Sequence, residues 1–226
     1  FPGCVAAVVT GRPLLLHEGN AFPGRVTRWF AGRAVAVALA FPEAGARLPR
    51  ARRAVEVGFP VRERRLPRAE ARERLGLPPD GAVTLVMGGS QGSRALNEAA
   101  PAAYRALPAE RRGAVLHATG PRWIDEVRRA TDDLPAYRCE GFVDATVAWS
   151  AADLALVRAG VGTLAEAAYH GVPLVMLPLP TSAEDHQRHN ARAVAAAGGG
   201  RAVEQDDPPA LIAAWSELLD DETRSR

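Results

Sequence analysis

The hydrophobic positions between residues 67 and 219 fall into short apolar runs, and longer amphipathic stretches separate these runs. Short apolar runs are typical of buried strands, whereas apolar residues three or four positions apart are typical of helices. The predicted strands are 83–87, 114–118, 137–140, 153–157, 173–177 and 201–203. The predicted helices are 67–75, 93–106, 122–131, 144–150, 162–170, 184–197 and 208–219. This alternation predicts parallel βαβ units and an open, doubly wound α/β sheet.

Residues 1–57 follow a looser pattern of the same kind. The predicted elements are the end of a helix at 5–9, a strand at 14–16, a helix at 24–33 and strands at 35–39 and 54–57. The break at Gly58-Phe59-Pro60 predicts a domain boundary, with a first domain at 1–57 and a second at 58–226. The chain begins at Phe1 without a methionine, so we expect a fragment in which the first domain is partial.

Composition narrows the function. The 226 residues are 47% hydrophobic and 24% charged, which is typical of a globular protein, and the net charge of +2 is too small to indicate nucleic-acid binding. All 28 basic residues are arginines. The absence of lysine excludes a Walker-type phosphate loop and Schiff-base chemistry. Two cysteines, Cys4 and Cys139, form neither a metal-binding pattern nor a disulfide framework.

Residues 83–98 join an apolar strand directly to a glycine-rich turn, Gly88 to Gly92, and then to a helix. Glycine lets the backbone approach a ligand and adopt positive φ. The first N–H groups of the helix lack intrahelical partners and lie at the positive end of its dipole, so the turn is suited to a phosphate or pyrophosphate. Glycine turns also join strands to helices in α/β proteins without any ligand, and that interpretation stays open.

A second glycine turn, at 160–162, follows the predicted strand 153–157 and opens the next helix. Glu166 lies about one turn into that helix, where its carboxylate is suited to accept hydrogen bonds from the vicinal hydroxyls of a ribose. A purely structural role with the helix dipole is the alternative. Two such turns in one domain predict a site for a nucleoside diphosphate.

Two further loops follow predicted strands. His17 to Asn20 is a polar quartet after three leucines, and we predict a loop that offers hydrogen-bonding groups, although Asn20 is also suited to cap a helix. In the segment 140–143, Phe142 and an open backbone are suited to hold a flat ring. An ordinary core position for Phe142 is the alternative.

The segment 177–190 places a rigid Pro-x-Pro loop before a polar helix start. Gln187 and Asn190 are three residues apart, so we expect them to share a helix face and to offer amides to sugar hydroxyls. His186 and His189 have no third ligand in view, which argues against a metal site.

Together these stretches resemble the MurG-type N-acetylglucosaminyl transferases of peptidoglycan synthesis, in glycosyltransferase family 28. The resemblance rests on LLLHEGNAFPG at 14–24, VGFPVR at 57–62, GGSQGSRALNE at 88–98, RAGVGTLAEAAYHGVPLVMLPLP at 158–180 and HQRHNAR at 186–192. It implies a GT-B arrangement of two Rossmann-like domains, with only part of the N-terminal domain present.

The resemblance implies inverting transfer of GlcNAc from UDP-GlcNAc to the MurNAc 4-hydroxyl of lipid I, which is undecaprenyl-pyrophosphoryl-MurNAc-pentapeptide, to form lipid II. It also implies work at the cytoplasmic face of the cell membrane as a peripheral protein, without a metal ion or cofactor. The candidate membrane-facing residues are Arg25, Val26, Arg28, Trp29, Phe30 and Arg33. A helix packed within the first domain is the alternative for this stretch.

The resemblance also assigns donor-binding roles. Gly89, Ser90, Gln91 and Gly92 match the loop at the donor diphosphate, with Arg62 nearby. Phe142 and Val143 match the stretch whose backbone holds uracil. Gly162 and Thr163 match the second glycine turn, and Glu166 matches the carboxylate that binds the ribose. Gln187 and His186 match the residues at the GlcNAc hydroxyls, and Asn20 matches an amide that faces the sugar.

The sequence departs from the family at Gly19, where a glutamine is usual, at Phe59, where an asparagine is usual, and at His186, where some members carry glutamine. The family's N-terminal GGTGGH-type loop, whose histidine is the candidate catalytic base, is not found after Phe1, so we identify no catalytic residue. We therefore expect a donor-binding fragment that does not turn over alone.

Other functions remain open at this point. They are another UDP-sugar lipid glycosyltransferase, a UDP-GlcNAc 2-epimerase and a non-catalytic nucleotide-sugar-binding module. A dinucleotide-dependent oxidoreductase is disfavoured because Gly88 to Gly92 lacks the G-x-G-x-x-G spacing.

Overall fold

The computed structural model describes residues 1–220, apart from the side chain of Ala183, and these residues form two parallel β-sheets. The strands are β1 (Leu15–Glu18), β2 (Ala36–Leu39), β3 (Ala54–Glu56), β4 (Val83–Met87), β5 (Ala114–Ala118), β6 (Tyr137–Glu140), β7 (Leu154–Val157), β8 (Leu174–Met176) and β9 (Gly200–Ala202). The helices are α1 (Pro2–Val9), α2 (Arg25–Phe30), α3 (Arg68–Leu75), α4 (Arg94–Ala106), α5 (Ile124–Ala130), α6 (Ala145–Ala151), α7 (Val161–His170), α8 (His186–Ala196) and α9 (Pro208–Leu219). The predicted α/β class is confirmed.

Every element predicted between residues 67 and 219 is present, and its ends differ from the prediction by at most two residues. The loop predicted at His17 and Glu18 is wrong, because both residues belong to β1 and pair in register with Ala38 and Leu39. Glu18 continues the strand although it is polar, because its buried carboxylate accepts hydrogen bonds from backbone N–H groups that follow the strand. Short 3-10 turns at Pro42–Arg47, Ala109–Arg111 and Ala183–Asp185 were not predicted.

The larger sheet has the strand order β6-β5-β4-β7-β8-β9, with every pair parallel. The chain winds outward in one direction from β4 to β6 and then returns to β7 on the other side of β4. Such a reversal leaves a crevice at the carboxyl ends of the two central strands, where open α/β sheets bind ligands. Met87 and Val157 are paired at that edge, so the turns that follow β4 and β7 lie side by side.

Helices cover both faces of this sheet. On one face α4 and α9 pack with Tyr104 and the fully buried Trp215, and on the other α3, α6 and α7 pack with the almost fully buried Trp149. All four residues of β7 are buried, which explains their continuous apolar run. Burial on both faces fixes the central strands rigidly, and with them the start of the turns that follow.

The smaller sheet has the order β1-β2-β3 and lies entirely within residues 15–56, so the predicted division at 57/58 falls between the sheets. Asn190 on α8 joins the two parts. Its Oδ1 accepts from the backbone N–H of Ala21 at 2.8 Å, and its Nδ2 donates to Asn20 Oδ1 at 3.1 Å and to the Ala159 carbonyl at 3.2 Å. Asn190 has no exposed surface, so this contact is part of the packed interior.

Candidate functional site

The glycine turn after β4 contacts the turn after β5 at the carboxyl edge of the larger sheet. Gly92 has φ +74°, and a Cβ added there would lie 1.9 Å from the Thr119 carbonyl oxygen. A Cβ added at Gly120, which has φ +87°, would lie 2.5 Å from the Gln91 carbonyl oxygen. The turn after β4 and the turn after β5 therefore touch backbone to backbone, which only glycine permits.

Helix N-termini face the same crevice. Ser93 caps α4, and its Oγ accepts from the backbone N–H of Leu96 at 3.4 Å. Gly160 is the N-cap residue of α7 and has no side chain to occupy the helix end. Free N–H groups and two positive dipole ends at one place suit an anionic ligand.

A cavity of about 520 Å³ opens beside these turns. It is lined by seven of the residues assigned to the site from the sequence, namely Arg62, Gly89, Ser90, Phe142, Val143, Thr163 and Glu166. The volume lies within the usual range of about 300–1,000 Å³ for small-molecule sites. The structure thus brings together residues that are separated by more than 100 positions in the sequence.

The walls of the cavity differ in character. Phe142 is 74% exposed, so the alternative of an ordinary core phenylalanine is wrong, whereas the neighbouring Val143 is buried. Glu166 is half-buried on α7, and its Oε2 accepts from the indole N–H of Trp149 at 3.0 Å. Arg62 is exposed on the segment that links the two sheets. The cavity therefore offers a flat aromatic surface, a fixed carboxylate and an exposed cation.

The other predicted residues lie outside this cavity. Gly92 and Gln187 line a neighbouring cavity of about 480 Å³, where the Gln187 side-chain oxygen accepts from the Leu179 N–H at 3.0 Å. Gln91 is exposed on the turn, Gly162 faces the ring of Phe59 and His186 is the first residue of α8.

The expectation that Asn190 offers its amide to a sugar is wrong. Asn190 is fully buried, and both ends of its amide are engaged between the sheets. Asn20 is half-buried, and its Oδ1 accepts from Asn190 while its Nδ2 donates to Glu18 at 3.4 Å. Both asparagine amides thus hold the two sheets together.

Arg158 was not predicted as a site residue, yet it lies directly behind the first glycine turn and is buried. Its guanidinium donates to Ser93 Oγ at 2.9 Å, to the Leu177 carbonyl at 2.9 Å, and to Gln205 Oε1 at 2.7 Å. Within residues 1–220 it forms no ion pair, and burial lowers its pKa. A buried cation with only neutral acceptors adds positive potential to the crevice. The position of Arg158 directly after β7 is the sequence feature from which a role at the crevice could have been predicted.

His117 supports the same turn from within the core. Its Nε2 lies 3.0 Å from Asn97 Oδ1, its Nδ1 lies 2.9 Å from the Tyr137 hydroxyl, and Asn97 in turn donates to the Thr119 carbonyl at 3.0 Å. Burial lowers the pKa of His117 to about 3, so the imidazole is neutral at physiological pH. Sequence reasoning missed this network because an apolar strand pattern does not show which buried polar residues meet.

No group of three or more His, Cys, Asp and Glu side chains in residues 1–220 is placed to hold a metal ion. Over the same residues, no helix combines the length and the apolar character needed to cross a membrane.

Comparison with known proteins gives closely related enzymes. The UDP-N-acetylglucosamine--N-acetylmuramyl-(pentapeptide) pyrophosphoryl-undecaprenol N-acetylglucosamine transferase of Deinococcus radiodurans is 48% identical over 224 residues, which cover 86% of this chain and 56% of that protein. The protein of the same name from Thermus thermophilus is 48% identical over 219 residues, which cover 96% of this chain and 60% of that protein. The chain thus spans less than two thirds of the length of these curated relatives.

Among solved structures, the crystal structure of Acinetobacter baumannii MurG superposes with a TM-score of 0.80 at 30% sequence identity, covering 98% of this chain and 62% of that one. The chain therefore has the GT-B type of fold expected from the sequence. The family model of the glycosyltransferase family 28 C-terminal domain matches residues 83–225, which is more than half of the chain. The chain belongs to glycosyltransferase family 28.

Proposed function

We propose that this chain carries the donor site of a transferase that moves GlcNAc from UDP-GlcNAc to lipid I. The observation that carries the proposal is the cavity of about 520 Å³ between the first glycine turn and α7, with Glu166 in its wall. Family membership and the printed activity of the relatives support it. The proposed donor domain is 58–226, and residues 1–57 belong to the acceptor and membrane side.

The parts of the donor match different parts of the cavity. The turn at Gly89 to Gly92 and the N-terminus of α4 bind the diphosphate, with Ser90 donating a hydroxyl hydrogen bond and Arg62 supplying a cation. Glu166 accepts from the ribose hydroxyls. Backbone groups at Phe142 and Val143 bind uracil, and Gly162 and Thr163 complete the second turn.

The sugar lies beyond the diphosphate, toward α8. Gln187, His186 and Asn20 are the proposed contacts for GlcNAc. Asn20 Oδ1 accepts from Asn190, so Nδ2 is the group of this side chain that contacts the sugar. Its present hydrogen bond to Glu18 is long, at 3.4 Å.

The reaction is an inverting displacement at the anomeric carbon. The MurNAc 4-hydroxyl oxygen of lipid I forms a bond to C1 of GlcNAc, the bond from C1 to the diphosphate breaks, and UDP leaves with the electron pair. The acceptor proton goes to a base that we do not assign to any described residue. The two helix N-termini and the fixed charge of Arg158 stabilise the departing diphosphate because they are already oriented before the charge develops.

A membrane surface is the proposed location of the acceptor. Trp29 on α2 is 60% exposed and has Arg25 and Arg33 as exposed neighbours, which suits an anionic lipid surface. Two sequence candidates are unsuited to this role. Phe30 is buried in the smaller core, and Arg28 is half-buried and forms an ion pair with Glu184. Arg25 also contacts Glu184, but 72% of its side chain stays exposed.

Calorimetric titration of the chain with UDP, UDP-GlcNAc and ADP tests the donor site. We expect UDP and UDP-GlcNAc to bind and ADP to bind more weakly. Glu166→Ala should weaken UDP binding by about 1–3 kcal/mol, because a buried hydrogen-bonded pair is lost. Glu73→Ala, an exposed glutamate on α3, is the matched control and should bind as the unsubstituted chain does.

Unchanged UDP affinity in Glu166→Ala would remove this carboxylate from the site. With UDP-GlcNAc and lipid I we expect no lipid II from this chain alone, because no described residue is assigned as the base. Formation of UDP-ManNAc from UDP-GlcNAc would contradict the proposal and indicate an epimerase.

A further inference from the structure

The indole of Trp149 holds the cavity carboxylate from behind. Trp149 lies on α6, is 1% exposed and packs in the core between that helix and the larger sheet. Its Nε1 donates to Glu166 Oε2 at 3.0 Å across the α6–α7 contact. A side chain enclosed in this way has little rotamer freedom, so it fixes one oxygen of Glu166 in a defined place.

The second carboxylate oxygen is left available. Within residues 1–220, Glu166 Oε1 has no hydrogen-bond partner, although Glu166 lines the cavity. A carboxylate offers about four lone-pair positions on its two oxygens, and Trp149 uses one of them. A glutamate that is already oriented loses less side-chain entropy when a ligand binds than a freely rotating one.

We propose that Trp149 is a positioning residue that orients the Glu166 carboxylate. In this orientation the free oxygen of Glu166 accepts hydrogen bonds from the 2′ and 3′ hydroxyls of the nucleotide ribose. This inference rests on the proposed function, because those hydroxyls belong to the nucleotide placed in the cavity. The indole does not touch the ligand. Its N–H nevertheless sets how strongly the site prefers a ribose over a sugar without these hydroxyls.

The test compares UDP with 2′,3′-dideoxy-UDP by calorimetry. The unsubstituted chain should prefer UDP. Trp149→Phe removes the N–H and keeps an aromatic ring, so we expect UDP affinity to fall about three- to tenfold, which corresponds to one hydrogen bond. Affinity for 2′,3′-dideoxy-UDP should stay within about twofold. A general packing defect would weaken both ligands equally, and that result would overturn the inference.

Trp215→Phe is the matched control. Trp215 is also fully buried, and its Nε1 donates to Thr84 Oγ1 at 3.1 Å on the opposite face of the sheet. This variant undergoes the same change of ring and loses a comparable hydrogen bond, so its preference for UDP should be unchanged. If Trp149→Phe does not fold, benzothienylalanine at position 149 keeps the ring volume without the N–H, and the same loss is expected.

A double-mutant cycle separates this inference from the proposed function. In a Glu166→Gln background, Trp149→Phe should cause no further loss of ribose preference, because the two groups act through one contact. A chain that prefers UDP and keeps that preference in Trp149→Phe overturns the inference alone. A chain that never prefers UDP over 2′,3′-dideoxy-UDP overturns both the inference and the assignment of Glu166 to ribose.

Discussion

At the scale of single residues, buried polar side chains support the glycine turn that opens α4. His117 and Asn97 are hydrogen-bonded to each other, and Asn97 holds the Thr119 carbonyl against which Gly92 rests. Arg158 reaches the same turn through Ser93. The turn is therefore fixed from two sides before any anion binds, which is the condition for preorganised electrostatic stabilisation.

The low pKa of His117 makes the free energy of unfolding depend on pH. Burial lowers the folded-state pKa from 6.5 to about 3, so the unfolded chain binds one more proton between these values. The contribution is fully present above about pH 6.5 and declines by about 1.4 kcal/mol per pH unit as the pH falls toward 3. Urea denaturation from pH 7.5 to 4.5 measures this slope.

His117→Gln keeps a hydrogen-bonding side chain and removes the titration. We expect it to be less stable than the unsubstituted chain at pH 7.5, and the gap should narrow steadily below pH 6.5. The carboxylates titrate equally in both proteins, so their effect cancels in the difference. Parallel stability curves over the whole range would show that His117 is not the group responsible.

At the scale of elements, the backbone contact between the turns after β4 and β5 fixes the shape of the crevice. Gly92→Ala should lower the free energy of unfolding by about 1–3 kcal/mol, because φ +74° is strained for alanine and the new Cβ meets the Thr119 carbonyl. UDP binding should weaken in the same variant, since the turn must move. Thermal unfolding and calorimetry measure the two effects.

Gly160→Ala is the control for this substitution. Gly160 has φ −73° at the N-cap of α7, and a Cβ added there would meet nothing within 4 Å. Its melting temperature should fall much less than that of Gly92→Ala. Equal melting temperatures for the two variants would mean that the turns do not depend on their close contact.

The elements of the larger sheet were predictable because their local patterns were unambiguous. The continuous apolar run of β7 and the glycine after it specify strand and turn without reference to the rest of the chain. The strand order was not predictable, because it depends on which strands pair after the chain reverses beside β4. The burial of Asn190 was also not predictable. Helical spacing places Asn190 on one face with Gln187, but it does not show what packs against that face.

The cavity residues could be predicted from the sequence because they lie in segments that follow predicted strands. Glu166 could be assigned to the site from its place after a glycine turn, whereas Trp149 reads as an ordinary core residue of an apolar helix. The bond between them forms across two helices and depends on tertiary packing. Sequence reasoning therefore found side chains at strand ends and missed the buried groups that hold them in place.

At the scale of the whole molecule, the polar contacts between the two sheets come mainly from α8 and the turn before it. Asn190 makes the buried hydrogen bonds, the ring of Phe22 stacks on His189 with centroids 4.8 Å apart, and Glu184 forms ion pairs with Arg25 and Arg28. The arginine side chains of these ion pairs are 72% and 36% exposed, so the pairs contribute little. We therefore expect Asn190 to carry most of the polar coupling between the sheets.

Asn190→Ala should lower the free energy of unfolding by about 2–4 kcal/mol, because it leaves the Ala21 N–H and the Ala159 carbonyl buried without partners. Asn20→Ala removes the 3.1 Å bond to Asn190 and the long 3.4 Å bond to Glu18, and it should cost about 1 kcal/mol. Hydrogen exchange distinguishes coupling from general loss of stability. If Asn190 couples the sheets, protection should fall in β1, β2 and β3 well before it falls in β4 and β7, because the larger sheet keeps its own two cores. A uniform loss of protection would show instead that the two sheets unfold as one unit, and that the Asn190 amide contributes to a single shared core.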